Sequence, residues 1–249
     1  RGLGDVYKRQ LWDSAVEESS LAYNTKWRAA YLRTYLKSFM VYHFHDTSFT
    51  SPMRGDCNIN DNECLRDNGS NLAAYLYYLM QNDEKAFRFI EGVVRSVAPY
   101  FKGFKLRPDA NNNNKIRLEW EEKDTDMYLD GYSFSDGTLR FIALATLLLQ
   151  PKKPEVIIID EPELGLHPAA INKLAEMVKS ASVKSQIILS TQSTNLVNCF
   201  GVDDIIVVDR SDSQSVFRHL SGEELGKWMD DYNLTISDLW EKNMIGGQL

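Results

Sequence analysis

Residues 156–162 read Val-Ile-Ile-Ile-Asp-Glu-Pro. No other stretch limits the fold so strongly. Four β-branched apolar residues in a row describe a strand covered on both faces, as in sheets flanked by helices. Ending that strand with Asp160 and Glu161 sets two acids at the carboxyl edge of a sheet, where open α/β proteins bind ligands. Two adjacent carboxylates are costly there without a cation or donors to offset them. One acid suits Mg²⁺ and the next suits a water molecule, a pairing that serves phosphoryl transfer.

The grammar around this strand is strand–helix alternation. A helix is predicted over 138–150, and a second begins at Pro168, a residue favoured in the first helical turn. Ile171, Leu174, Ala175 and Val178 form one face of that second helix. Strands follow at 186–190, 204–208 and 215–219, and a short helix lies in the tail from Glu223. The strand Ile187-Ile188-Leu189 reads as buried. It ends in Ser190-Thr191-Gln192-Ser193 and runs parallel to the first strand if its crossover is right-handed. The segment before about 134 reads differently. Apolar positions recur at helical spacing from 11 to 42, a loop follows at 46–70, and helices start at Leu72 and after Asp83, the latter stopped by Pro99. Ile116, Leu118 and Trp120 alternate with charged residues, and Asp126–Phe134 is expected to run back beside them. Arg1–Gln10 carry two glycines and no periodicity, and read as an adapter sequence or a disordered terminus. The expected layout is therefore 1–10 outside the fold, 11–134 a helical and β-hairpin region, and 135–249 an α/β core.

Composition removes several classes. The net charge of −7 does not support non-specific nucleic-acid binding over the whole surface. Lys26, Arg28, Arg33 and Lys37 read as the solvated side of a helix. No apolar run approaches the roughly 18 residues of a membrane span. Three cysteines form no even framework and suit a reducing cytoplasm. His43, His45, Cys57 and Cys64 are spaced too loosely for a standard structural zinc site. His167 stands alone and reads as a surface or capping residue.

Phe134-Ser135-Asp136-Gly137-Thr138 opens the first predicted helix of the core. Its free backbone N–H groups and the Ser135 hydroxyl suit a phosphate, Gly137 permits close approach, and Asp136 opposes an anion. Glu163–Pro168 suits a turn that another subunit contacts. Gln192 suits the same ligand as Asp160 if the two strands are parallel.

Taken together these segments resemble the ABC-type ATPases, a P-loop NTPase fold. They look most like the soluble RecF-like, Rad50-like and OLD-like branch, close to AAA15/AAA21-type ATPases. Ser135–Thr138 resembles the signature segment, Ile157–Glu161 Walker B with its catalytic glutamate, Glu163–Pro168 the D-loop, and Ser190–Ser193 the switch. The resemblance implies two ATP molecules sandwiched in a homodimer. Ser135, Gly137 and Thr138 would contact the γ-phosphate in trans, Asp160 would support Mg²⁺, and Glu161 would activate water, with Gln192 as the switch residue. A DNA or nuclease partner, in repair or anti-phage defence, follows by analogy, with no membrane partner. Two departures stand out. No Gly-x-x-x-x-Gly-Lys-Ser/Thr occurs, which implies that the chain is the C-terminal part of a longer ATPase. The switch carries Gln192 where histidine is usual. A scaffold that keeps the core without catalysis, or a metal-dependent nuclease or phosphatase using Asp160 and Glu161, are the competing readings.

Overall fold

The computed structural model describes residues 26–37, 39–125, 127–211 and 214–247. Arg1–Gln10, and the helical pattern assigned to 11–25, lie outside the described residues. A helix, α1 (Trp27–Lys37), leads to strand β1 (Phe39–Tyr42). A long connection carrying the two-residue strand β2 (Cys57–Asn58) reaches helices α2 (Leu72–Asn82) and α3 (Glu84–Val97). Strands β3 (Phe101–Phe104), β4 (Lys115–Ile116), β5 (Glu119–Glu122) and β6 (Tyr128–Asp130) follow. Then come α4 (Asp136–Leu149), β7 (Val156–Asp160), α5 (Pro168–Ala181), β8 (Gln186–Ser190) and the short α6 (Thr194–Val197). The hairpin β9 (Ile206–Ser211) and β10 (Gln214–His219) and helices α7 (Gly222–Tyr232) and α8 (Ile236–Glu241) complete the chain.

The central sheet has the order β1-β7-β8, and both pairings are parallel. Tyr42 lies opposite Ile159, and Asp160 opposite Ser190, so the two later strands end level with each other. The parallel pairing of 156–160 with 186–190 is as expected. The helical pattern predicted through residue 42 is corrected. It stops at Lys37, and Phe39–Tyr42 pairs with β7. Aromatic and β-branched residues accept either conformation, and the neighbouring strand decides.

One face of the sheet is covered. Tyr42, Ile157 and Ile159 belong to the same buried cluster as the side chains of α4 and α5. Helix α4 is buried nearly throughout, from Leu139 to Leu148, and packs against both α3 and α5. An apolar circumference is what a central helix needs. The other face differs from expectation. Val41, Ile158 and Ile188 stand in register across the three strands, yet Val41 is 40% and Ile188 44% exposed, and Ile158 is half-buried. Strand β8, expected to be buried, is therefore half-open and forms an edge of the described sheet. The sequence pattern reports what the strand prefers around it, and the described residues supply that on one face only.

The predicted pair near 116–134 is a three-stranded antiparallel sheet, β3-β5-β6, with β4 pairing instead with β2. Trp120 on β5 stacks on Phe134 with ring centroids 4.5 Å apart, and its indole donates to the Asp130 carbonyl at 3.1 Å. This anchors the residue immediately before Ser135. At the other end, α8, β9 and the stretch between them build a second small cluster around Val207, Leu220, Ile236 and Leu239. The single tail helix expected after Glu223 is two helices.

Candidate functional site

Asp160 is the last residue of β7, and the chain turns sharply there. Glu161 has φ 38°, a left-handed backbone that costs a non-glycine residue about 1–2 kcal/mol. Its N–H donates to the Ser190 carbonyl at 2.9 Å, and its own carbonyl accepts from Leu164 at 3.2 Å. The turn thus lifts Glu161 off the sheet edge beside Asp160. The Ser190 hydroxyl donates to Asp160 Oδ1. Thr191 Oγ1 donates to Glu163 Oε1, while Glu163 Oε2 is buried with no hydrogen-bond partner. The parallel register, expected from the sequence, brings the ends of β7 and β8 together, so Asp160, Glu161, Ser190 and Thr191 lie at one edge. Gln192 follows them in the loop after β8 and is exposed.

These donors fit Mg²⁺. Asp160 is half-buried, has one oxygen held by a hydroxyl and the other left for a cation, and belongs to an all-oxygen set. Bound there, the ion would neutralise phosphate charge. No group of three or more His, Cys, Asp or Glu residues placed to hold a metal ion occurs among the described residues, so Asp160 would share the ion with hydroxyl, water or phosphate oxygens. His45 Nε2 lies 2.8 Å from the Asp160 carbonyl, so it serves the sheet edge, and the Cys57 thiol donates to the Ile116 carbonyl. Burial, chiefly, pushes the Cys57 thiol above its ordinary value.

Ser135–Thr138, the segment expected to be the signature, is built as a helix start. Ser135 is the N-cap of α4 and accepts from the Thr138 N–H at 3.2 Å. The Thr138 hydroxyl lies 2.8 Å from Ser135 Oγ and 2.9 Å from the Tyr100 hydroxyl. Ser135 remains exposed. The objection that Asp136 opposes an anion is answered by Arg54, whose Nη2 is 2.7 Å from Asp136 Oδ1. Arg54 is itself only 5% exposed and also donates to the carbonyls of Thr47, Gly131 and Phe134. Gly137 is required by contact. A Cβ there would lie 2.4 Å from the Gly165 carbonyl, so the signature start and the turn after Glu161 touch within one chain. Gly165 itself has φ 74°. His167 caps α5, its Nδ1 accepting from the Ala169 N–H at 3.2 Å, which matches the capping expectation.

Sequence reasoning missed Arg54 and Arg140, and weighed His45 only as a loosely spaced metal ligand rather than as a partner of the Asp160 carbonyl. Arg140 is 5% exposed inside the apolar stretch of α4 and donates to three backbone carbonyls, those of Phe44 and His45 at 2.9 Å each, just after β1, and that of Leu164, after β7. A guanidinium on an otherwise apolar helix was the available signal, since arginine is seldom fully buried without partners. Burial pulls its pKa below the ordinary value, and Asp136 partly offsets this.

Residues 43–198, more than half of the chain, match the family model "AAA domain, putative AbiEii toxin, Type IV TA system". The Old nuclease of Escherichia phage P2 is 25% identical over 183 residues, covering 66% of this chain and 31% of the relative. The energy-coupling factor transporter ATP-binding protein EcfA2 of Staphylococcus aureus (strain USA300) is 29% identical over 131 residues, covering 51% of this chain and 43% of the relative. The chain thus spans less than half the length of either. Among solved structures, an Smc head domain from Pyrococcus furiosus, bound to the C-terminal domain of ScpA, is 21% identical with a TM-score of 0.49. That match covers 64% of this chain and 40% of the other.

Proposed function

The chain belongs to the AAA domain, putative AbiEii toxin, Type IV TA system family, within the ABC-type ATPases of the RecF/Rad50/OLD-like branch, and we propose that it is the signature-bearing part of an ATP-hydrolysing head. The observation that carries this reading is the paired edge of β7 and β8. Parallel register sets Asp160 level with Ser190, and a left-handed turn at Glu161 follows it directly at the sheet edge. In this reading Asp160 supports Mg²⁺, directly or through water, and Glu161 orients and deprotonates the attacking water. Gln192 contacts the γ-phosphate by hydrogen bonding without gaining a proton near neutral pH. Ser135, Gly137 and Thr138 face the γ-phosphate of ATP held by a second copy. Catalysis then comes mostly from positioning and charge stabilisation.

The phosphate cradle is supplied by polypeptide outside this sequence. Two features support that reading: no Gly-x-x-x-x-Gly-Lys-Ser/Thr occurs in the 249 residues, and the row Val41–Ile158–Ile188 keeps contact with solvent. We extend the reading to an ATP-dependent homodimer working in the cytoplasm, coupled to a DNA or nuclease partner. The phage P2 relative, by its name, is a nuclease.

The test is ATP turnover by the longer polypeptide that carries this chain with its phosphate loop. Glu161→Gln is expected to stop hydrolysis and accumulate an ATP-bound dimer on size exclusion. Normal turnover by that variant removes Glu161 from its role. Absence of any ATPase activity in the longer wild-type polypeptide favours a non-catalytic scaffold. ATP-independent, metal-dependent cleavage of DNA favours a nuclease.

A further inference from the structure

Arg140 makes no ion pair closer than 4 Å among the described residues, yet its guanidinium is buried and fully directed. Nε donates to the Phe44 carbonyl and Nη2 to the His45 carbonyl, both at 2.9 Å, and Nη1 donates to the Leu164 carbonyl. The three acceptors come from two loops remote in sequence, the one leaving β1 and the turn after Glu161. Each loop has a second attachment to the proposed site. His45, held through its carbonyl, aims its imidazole at the Asp160 carbonyl, 2.8 Å from Nε2. That contact requires Nε2 to carry the proton, because a carbonyl only accepts. Leu164 precedes Gly165, whose carbonyl lies against Gly137 so closely that no Cβ fits. Arg140 itself rises from the first turns of α4, just after Gly137 and Thr138.

A neutral buried side chain of similar length would pack the same space. It would not join the two loops. A guanidinium presents several N–H groups in a rigid plane, and here they select three carbonyls at fixed angles. Burial weakens the competition from water for those bonds. The cost of dehydrating a cation with no carboxylate against it is large, which makes the arrangement hard to explain as packing alone.

We infer that Arg140 is a positioning residue that makes the acid edge and the signature start move as one body. The inference rests on the ATPase reading above. Asp160 and Glu161 serve ATP on their own subunit, whereas Ser135–Thr138 serve ATP on the partner. The Arg140 fork therefore links the two nucleotide positions that one chain touches. His45 carries the branch to Asp160, and Gly165 carries the branch to Gly137. Coupling of this kind appears as cooperativity between the two sites, while the affinity of either site alone changes little.

The experiment uses the longer polypeptide with its phosphate loop. Arg140→Lys retains the charge and loses the fork. His45→Ala cuts one branch on a half-buried loop, and His45→Gln restores an N–H donor there. The expected result is that Arg140→Lys and His45→Ala weaken ATP-driven dimer assembly by about 10-fold and bring the Hill coefficient of ATP hydrolysis to 1. Binding of Mg²⁺·ATP to the monomer stays within about 2-fold, and His45→Gln recovers assembly. Unaltered assembly and cooperativity in both variants overturn the inference and leave the ATPase reading standing. Equal losses in monomer binding and assembly also overturn it, because they signal a structural role only. A wild-type polypeptide that neither hydrolyses ATP nor assembles on it overturns both. Should Arg140→Lys fail to fold, the pair His45→Ala and His45→Gln decides.

Discussion

Across the central sheet, Ile157 and Ile159 belong to one buried cluster with α4 and α5, whereas Ile158 stands in a row with Val41 and Ile188 that still meets solvent. The three isoleucines are consecutive and chemically identical. Their surroundings differ because successive side chains of a strand point to opposite faces. The covered face carries the structural weight of the described chain. The open face has the same apolar character without the packing, which is the condition expected of a surface that a further segment completes.

The largest expected effect belongs to the covered side. Trp120→Ala removes a side chain stacked on Phe134 and held by Asp130, and is expected to cost about 3–5 kcal/mol in chemical unfolding. Ile159→Ala comes next at roughly 2–4 kcal/mol, against less than about 1 kcal/mol for Ile158→Ala in this chain. Equal losses at the two positions would erase the contrast between the faces. In the longer polypeptide the Ile158→Ala cost is expected to rise toward that of Ile159→Ala, which tests whether further chain covers the open face. Gly137→Ala sets a methyl group against the Gly165 carbonyl and is expected to cost about 1–3 kcal/mol, with faster amide hydrogen exchange over 163–166. Unchanged exchange there would separate the signature start from the turn.

The smallest effect concerns pH. Burial raises the Tyr75 phenol from 10.0 to about 12. The unfolded chain releases that proton first, so the folded state gains stability from Tyr75 that is complete below pH 10 and lost as pH rises toward 12. A Tyr75→Phe variant is expected to show a shallower loss of stability between pH 10 and 11 in urea titrations. An identical slope would show that Tyr75 does not distinguish the covered core from solvent.

Much of the site was legible along the chain. Asp160, Glu161, Ser190 and Gln192 announce themselves because polar residues abruptly end apolar runs, and parallel register then aligns Asp160 with Ser190. The capped start of α4 was legible for the same local reason, a serine cap and a glycine before an apolar helix. Asp136 looked like an obstacle to an anion because its neutralising partner, Arg54, lies 82 residues earlier. The helical reading through Tyr42 failed because Phe39–Tyr42 has a pattern compatible with helix or strand until β7 lies beside it.

The sequence by itself determined the order of elements from α4 to β8, the acid pair at a strand end, and the capped glycine turn at the start of α4. These depend on side-chain periodicity and local backbone preference, which act over a few residues. Only the tertiary structure decided that Arg54 and Arg140 fasten the loops around those motifs, that His45 meets the Asp160 carbonyl, and that Gly137 touches Gly165. Those contacts join residues tens of positions apart. A hydrogen bond to a backbone carbonyl carries no signature in the identity of the accepting residue, so the chain's letters leave it unwritten.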